Sequence, residues 1–77
     1  MKWRDLPDDV KNILEWLESP NTNALLTLTL ERGKPAPYSG IPVSDQVLEI
    51  IKTYAAANRS DFMRYEVSED VVTLKLL

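Results

Sequence analysis

Histidine and cysteine, the side chains that most often do chemistry in small proteins, are both absent from these 77 residues. Between them they supply most nucleophile–base pairs, most transition-metal ligands and every disulfide. What remains is twelve carboxylates and nine Lys and Arg side chains. The acids gather in two places: Asp5, Asp8, Asp9, Glu15 and Glu18 early in the chain, and Glu66, Glu69 and Asp70 late in it. A carboxylate pair hydrolyses glycosides when burial raises the pKa of one member. These acids fall on polar faces, helix ends and a turn, where they read as solvated surface charge. Ser68-Glu69-Asp70 offers oxygens to a divalent cation, but without the glycine and alternating ligands of a calcium loop. Ser39 would need Lys34 as its base, and neither G-x-S-x-G nor S-x-x-K occurs. The phosphate-cradling glycine patterns are missing too. The expectation is a non-enzyme with no catalytic residue, no metal and no cofactor.

The elements that must position these residues follow from periodicity. Residues 6–18 read as a helix, because Leu6, Val10, Ile13, Leu14 and Leu17 recur at helical spacing. Pro7 suits a first turn, and Asp8 and Asp9 suit the positive end of the helix dipole. Trp16 flanks the buried stripe. Ser19-Pro20-Asn21 stops the helix, since a residue before proline is pushed out of the α region. Residues 23–31 read as a strand: Leu26, Leu28 and Leu30 alternate with Thr27, Thr29 and Glu31, as burial on one side requires. Residues 32–42, RGKPAPYSGIP, hold both glycines and three of the five prolines. That composition excludes a helix or a central strand and leaves a loop.

Residues 44–58 read as a second helix. Ser44 is its N-cap, and Val43 and Leu48 have the spacing of a hydrophobic staple. Val47, Ile50, Ile51, Tyr54 and Ala55 form the apolar stripe, with Leu48 and Ala57 at its margins. Residues 62–67 and 71–77 read as a hairpin turning at Ser68-Glu69-Asp70. Met63, Tyr65 and Val67 alternate with Phe62, Arg64 and Glu66. In the last strand, Val72, Leu74 and Leu76 alternate with Val71, Thr73 and Lys75.

These pieces predict one small α+β domain over residues 1–77, in the order α-β-α-β-β. Its three-stranded antiparallel sheet has the order 1-3-2, with the most apolar strand central and two helices on one face. The open face would carry Leu25, Thr27, Thr29, Phe62, Arg64, Glu66, Val71, Thr73 and Lys75. This order of elements resembles a winged helix without its middle helix. The resemblance implies a nucleic-acid-binding regulator, with residues 44–58 as recognition helix and Glu69-Asp70 as wing tip. The chemistry opposes it. The outward positions Asp45, Gln46, Glu49, Lys52, Thr53 and Ala56 include one base, and the wing tip has acids where phosphates want Lys or Arg. With a net charge of −3, no nucleic-acid partner is expected.

No apolar run approaches the ~18 residues of a membrane helix, and MKWRDLPDDV lacks the apolar segment of a secretory signal. A cysteine-free, mildly acidic domain fits a cytoplasmic setting with no membrane partner. The expected function is a small non-catalytic protein-binding factor, accessory or inhibitory, of the kind mobile elements encode. Its expected contact is the loop, because a proline-stiffened chain loses little entropy on binding and tyrosine is enriched at hot spots. Arg32, Lys34, Tyr38 and Ile41 of the loop, with Trp3 and Trp16, are the expected partner-binding residues. A homodimer or larger closed assembly is also expected. The broad stripe of the second helix, the tryptophans, and Leu25, Phe62, Val71 and Leu77 leave apolar surface to cover, and the sheet has two unprotected edges.

Overall fold

The computed structural model describes residues 2–18 and 26–77. Within them the order is α1 (Asp8–Leu14), β1 (Leu28–Glu31), α2 (Asp45–Ala57), β2 (Phe62–Val67) and β3 (Val71–Leu76). Short 3-10 turns at Trp3–Asp5, Glu15–Leu17 and Arg59–Asp61 lead into or out of these elements. The fold is α+β, with an antiparallel sheet ordered β1-β3-β2, as the periodicity predicts. No helix among the described residues is long and apolar enough to cross a membrane.

The first helix is shorter than its apolar spacing. Pro7 stands just outside it in extended backbone, and its carbonyl accepts from the Lys11 amide at 3.0 Å. After Leu14 the chain tightens into the 3-10 turn, which keeps Leu17 buried. The stop at Ser19-Pro20-Asn21 and positions 23–25 of the expected first strand lie outside the described residues. Leu26 donates its amide to Leu17 O at 2.9 Å, so the approach to β1 is tied to the end of the first helix.

The sheet register sets Leu28 opposite Leu74 and Leu30 opposite Val72. All four are fully buried, and they meet Val10, Ile13 and Leu14 of α1 and Leu48, Ile51 and Ala55 of α2. On the other face Thr29 lies opposite Thr73, their hydroxyls 3.4 Å apart. Ser44 caps α2, its Oγ accepting from the Val47 amide at 3.2 Å. Leu48 is central rather than marginal, because α2 packs on α1 as well as on the sheet and its buried line runs through 48, 51 and 55. Val47, Ile50 and Tyr54 are half-buried against the same core, and Ala57 is exposed.

One strand departs from simple alternation. Phe62, expected on the open face, is 4% exposed, whereas Met63 is 58% exposed. Phe62 pairs with Leu76 and Arg64 with the adjacent Lys75, so Met63 is an extra residue. This β-bulge turns Phe62 into the core. Beyond it the expected phase holds: Arg64 pairs with Lys75 and Glu66 with Thr73 on the open face, and Tyr65 pairs with Leu74 on the core side.

Candidate functional site: the loop tip and the aromatic cleft

The chain between β1 and α2 folds back on itself as a narrow hairpin. Gly33 N donates to Val43 O at 2.9 Å, Val43 N to Lys34 O at 3.1 Å, and Ala36 N to Ile41 O at 2.8 Å. Pro35 and Pro42 face each other across it. Neither has an N–H, so the ladder cannot lengthen into full strands. Ala36 and Val43 are buried and anchor the hairpin in the core.

At the tip, Ser39 N donates to Pro37 O and Gly40 N to Ala36 O, at 2.8 and 2.9 Å. The first bond spans two residues and puts Tyr38 at the centre of a γ-like turn, with φ of 69°. A bulky residue in this left-handed region is an outlier costing on the order of 1–3 kcal/mol, and it persists only where its surroundings over-determine it. Here those surroundings are the tip hydrogen bonds and Trp16. The Tyr38 and Trp16 rings stack with centroids 5.5 Å apart and planes 25° from parallel. Tyr38 is nonetheless 58% exposed. Ile41 is half-buried and packs against the core. Three expected contact residues thus fall together: Tyr38 and Trp16 as an aromatic platform, with Ile41 rooting the loop that carries it.

Arg32 and Lys34 are engaged differently. Arg32 Nη1 is 2.7 Å from Asp45 Oδ1, its Nε 3.0 Å from Asp70 Oδ1, and its Nη2 donates to Glu69 O at 2.8 Å. Lys52 Nζ donates to the same Glu69 carbonyl at 2.8 Å. The hydrogen bonds that Arg32 donates to Asp45 and then to Asp70 hold its pKa above the ordinary value. Arg32 therefore ties the start of the loop to the first turn of α2 and to the β2–β3 turn. Lys34 Nζ lies 3.2 Å from the Glu31 carboxylate.

Trp3 belongs to a second feature. Its ring meets Tyr54 edge-on, centroids 6.1 Å apart. Both rings help line a cleft of about 330 Å³ with Phe62 and Leu76, and the carboxylate-bearing Glu15, Glu18 and Asp61 also line it. Burial, and then the charge of Asp61, raises the Tyr54 pKa above its ordinary value. Trp16 is not part of this lining. Tyr54 and Asp61 carry no sequence signal as site residues; Tyr54 meets Trp3 from within α2, which packs on α1, and the 3-10 turn after α2 sets Asp61 in the same cleft.

Among the described residues no group of three or more acidic side chains is placed to hold a metal ion. No buried side-chain nitrogen or oxygen among them lacks a hydrogen-bond partner. What the surface offers is aromatic faces on a pinned backbone. Compared with known proteins, the chain matches no family model, no curated protein and no solved structure.

Proposed function

We propose that this chain is a small non-catalytic protein-binding factor, accessory or inhibitory to its partner, and that the tip of the 32–42 loop makes the contact. The observation that carries this reading is Tyr38. It is an exposed aromatic in a left-handed backbone conformation, stacked on a second aromatic and held by four backbone hydrogen bonds within residues 34–43. Strained residues cluster where function requires them, and a tip already fixed by hydrogen bonds loses little freedom on binding. Stacked Tyr and Trp faces are the surface type enriched in hot spots. The nucleic-acid alternative gains nothing from the site. Lys52, the base on the outward side of α2, is committed to the Glu69 carbonyl, and Arg32 to two carboxylates.

Tyr38→Asn removes the ring while keeping a residue that tolerates the left-handed region. Affinity purification with the wild-type and Tyr38→Asn chains, followed by titration of each enriched protein, tests the reading. A partner bound by the wild type should lose at least about tenfold in affinity for the variant, as an anchor aromatic does. Equal affinity for both chains overturns the proposal, and so does robust duplex DNA binding at physiological salt.

A further inference from the structure

We propose that β2 is a self-recognition edge, pairing antiparallel with β2 of a second copy about Tyr65 to build one continuous six-stranded sheet. The reading is independent of the Tyr38 contact and concerns a different surface. β2 pairs with β3 on one side only. Among the described residues, none of the backbone hydrogen bonds outside the strand ladders and helices involves residues 63–67. An exposed edge is a template for another strand unless the sequence opposes it.

The charges on this edge choose both partner and register. Arg64 and Glu66 lie on the open face two residues apart and form an ion pair. In an antiparallel pair of identical strands centred on Tyr65, each Arg64 stands opposite the second copy's Glu66, and the reverse. Sliding the register by two residues either way sets Arg64 opposite Arg64 or Glu66 opposite Glu66. A slip of one residue exchanges the faces of the sheet. A parallel, in-register pair would bring like charges together at both positions. Opposite charges directly across strands attract and like charges repel, so one arrangement is favoured over all its near neighbours.

Apolar exposure agrees with the same register. Met63 and Val67 are 58% and 42% exposed, and this pairing carries the Met63 end of each strand to the Val67 end of the other. The bulge that turns Phe62 inward is what leaves Met63 outside to be covered.

Light scattering behind size exclusion at high micromolar concentration should find a dimer. Arg64→Glu and Glu66→Arg should each weaken it about tenfold or more, since each converts cross-strand attraction into repulsion. An equimolar mixture of the two single variants should restore association, because one strand then carries only acids and the other only bases. The double exchange R64E/E66R should restore it within a single chain. Thermal melts of the exposed-site variants establish that they are folded. A monomeric wild type, a dimer indifferent to either single change, or single variants rescued by neither the mixture nor the double exchange would each overturn the proposal.

Discussion

Arg32 and Tyr54 illustrate what a side chain's type does and does not reveal. Arg32 in a proline-rich loop reads as a free cation for a partner, yet all three nitrogen positions of its guanidinium are engaged within the chain, by Asp45, Asp70 and the Glu69 carbonyl. Those partners lie up to 38 residues away in sequence, and only the closed fold brings them together. Tyr38 was legible because its type and its neighbours, a proline and a glycine, are local facts; its positive φ and its seat on Trp16 were not. Tyr54 gives a pH dependence. Its folded-state pKa is raised, so the folded chain holds this proton more tightly than the unfolded chain does. The resulting stability is fully present below the ordinary phenol value near 10 and is lost as pH rises through the raised one. Melting temperature should therefore fall as pH passes about 10, and Tyr54→Phe should flatten that fall. Parallel alkaline melts of the two chains check it; identical pH profiles would assign the loss to other groups.

At the scale of elements, the strands and helices were readable wherever one period ran unbroken. Leu28 and Leu30 alternate cleanly and are buried, and the Ser44 cap forms the bond its position predicts. The sequence misleads at β2, where one extra residue reverses the phase of Phe62 before it. Nothing in the string Phe62-Met63-Arg64 marks which residue is extra; the 3-10 turn at Arg59–Asp61 and the demand of the core for Phe62 settle it. Deleting Met63 sets Phe62 directly before Arg64, on the same side as Tyr65, so strict alternation itself should then keep Phe62 in the core. The deletion should therefore cost well below the loss of about 3–5 kcal/mol expected of Phe62→Ala, which truncates the buried ring. Met63→Ala keeps the extra residue and should cost within about 0.5 kcal/mol, as exposed changes usually do. Urea denaturation of these variants separates the backbone role of position 63 from its side chain. A deletion variant that loses as much as Phe62→Ala would mean that the bulge itself, and not the alternation, holds Phe62 in the core.

For the whole molecule, a surplus of apolar side chains was evident in the sequence, but its location was not. The wide stripe of α2 is absorbed by α1 and the sheet, Phe62 is in the core, and Val71 is half-buried. The large apolar side chains left exposed among the described residues are Trp3, Tyr38, Met63, Val67 and Leu77, which lie at the cleft, the loop tip and the β2–β3 sheet. The buried residues, from Leu6 through Leu74, form one continuous cluster that includes both helices and all three strands. A single core implies a single cooperative transition, and a chain this short has on the order of 4–12 kcal/mol to lose. Ile51 is fully buried near the middle of α2, so Ile51→Ala should remove about 2–5 kcal/mol of that total. Trp3 against Tyr54 and Trp16 against Tyr38 report on two different places in the molecule. In Trp3→Phe and Trp16→Phe backgrounds, the fluorescence of the remaining tryptophan and the far-ultraviolet circular dichroism should give coincident unfolding curves. Adding Ile51→Ala should shift both curves together. If Trp16 instead kept its native signal while Trp3 unfolded early, the loop tip and the cleft would belong to separate cooperative units and the single core would be refuted.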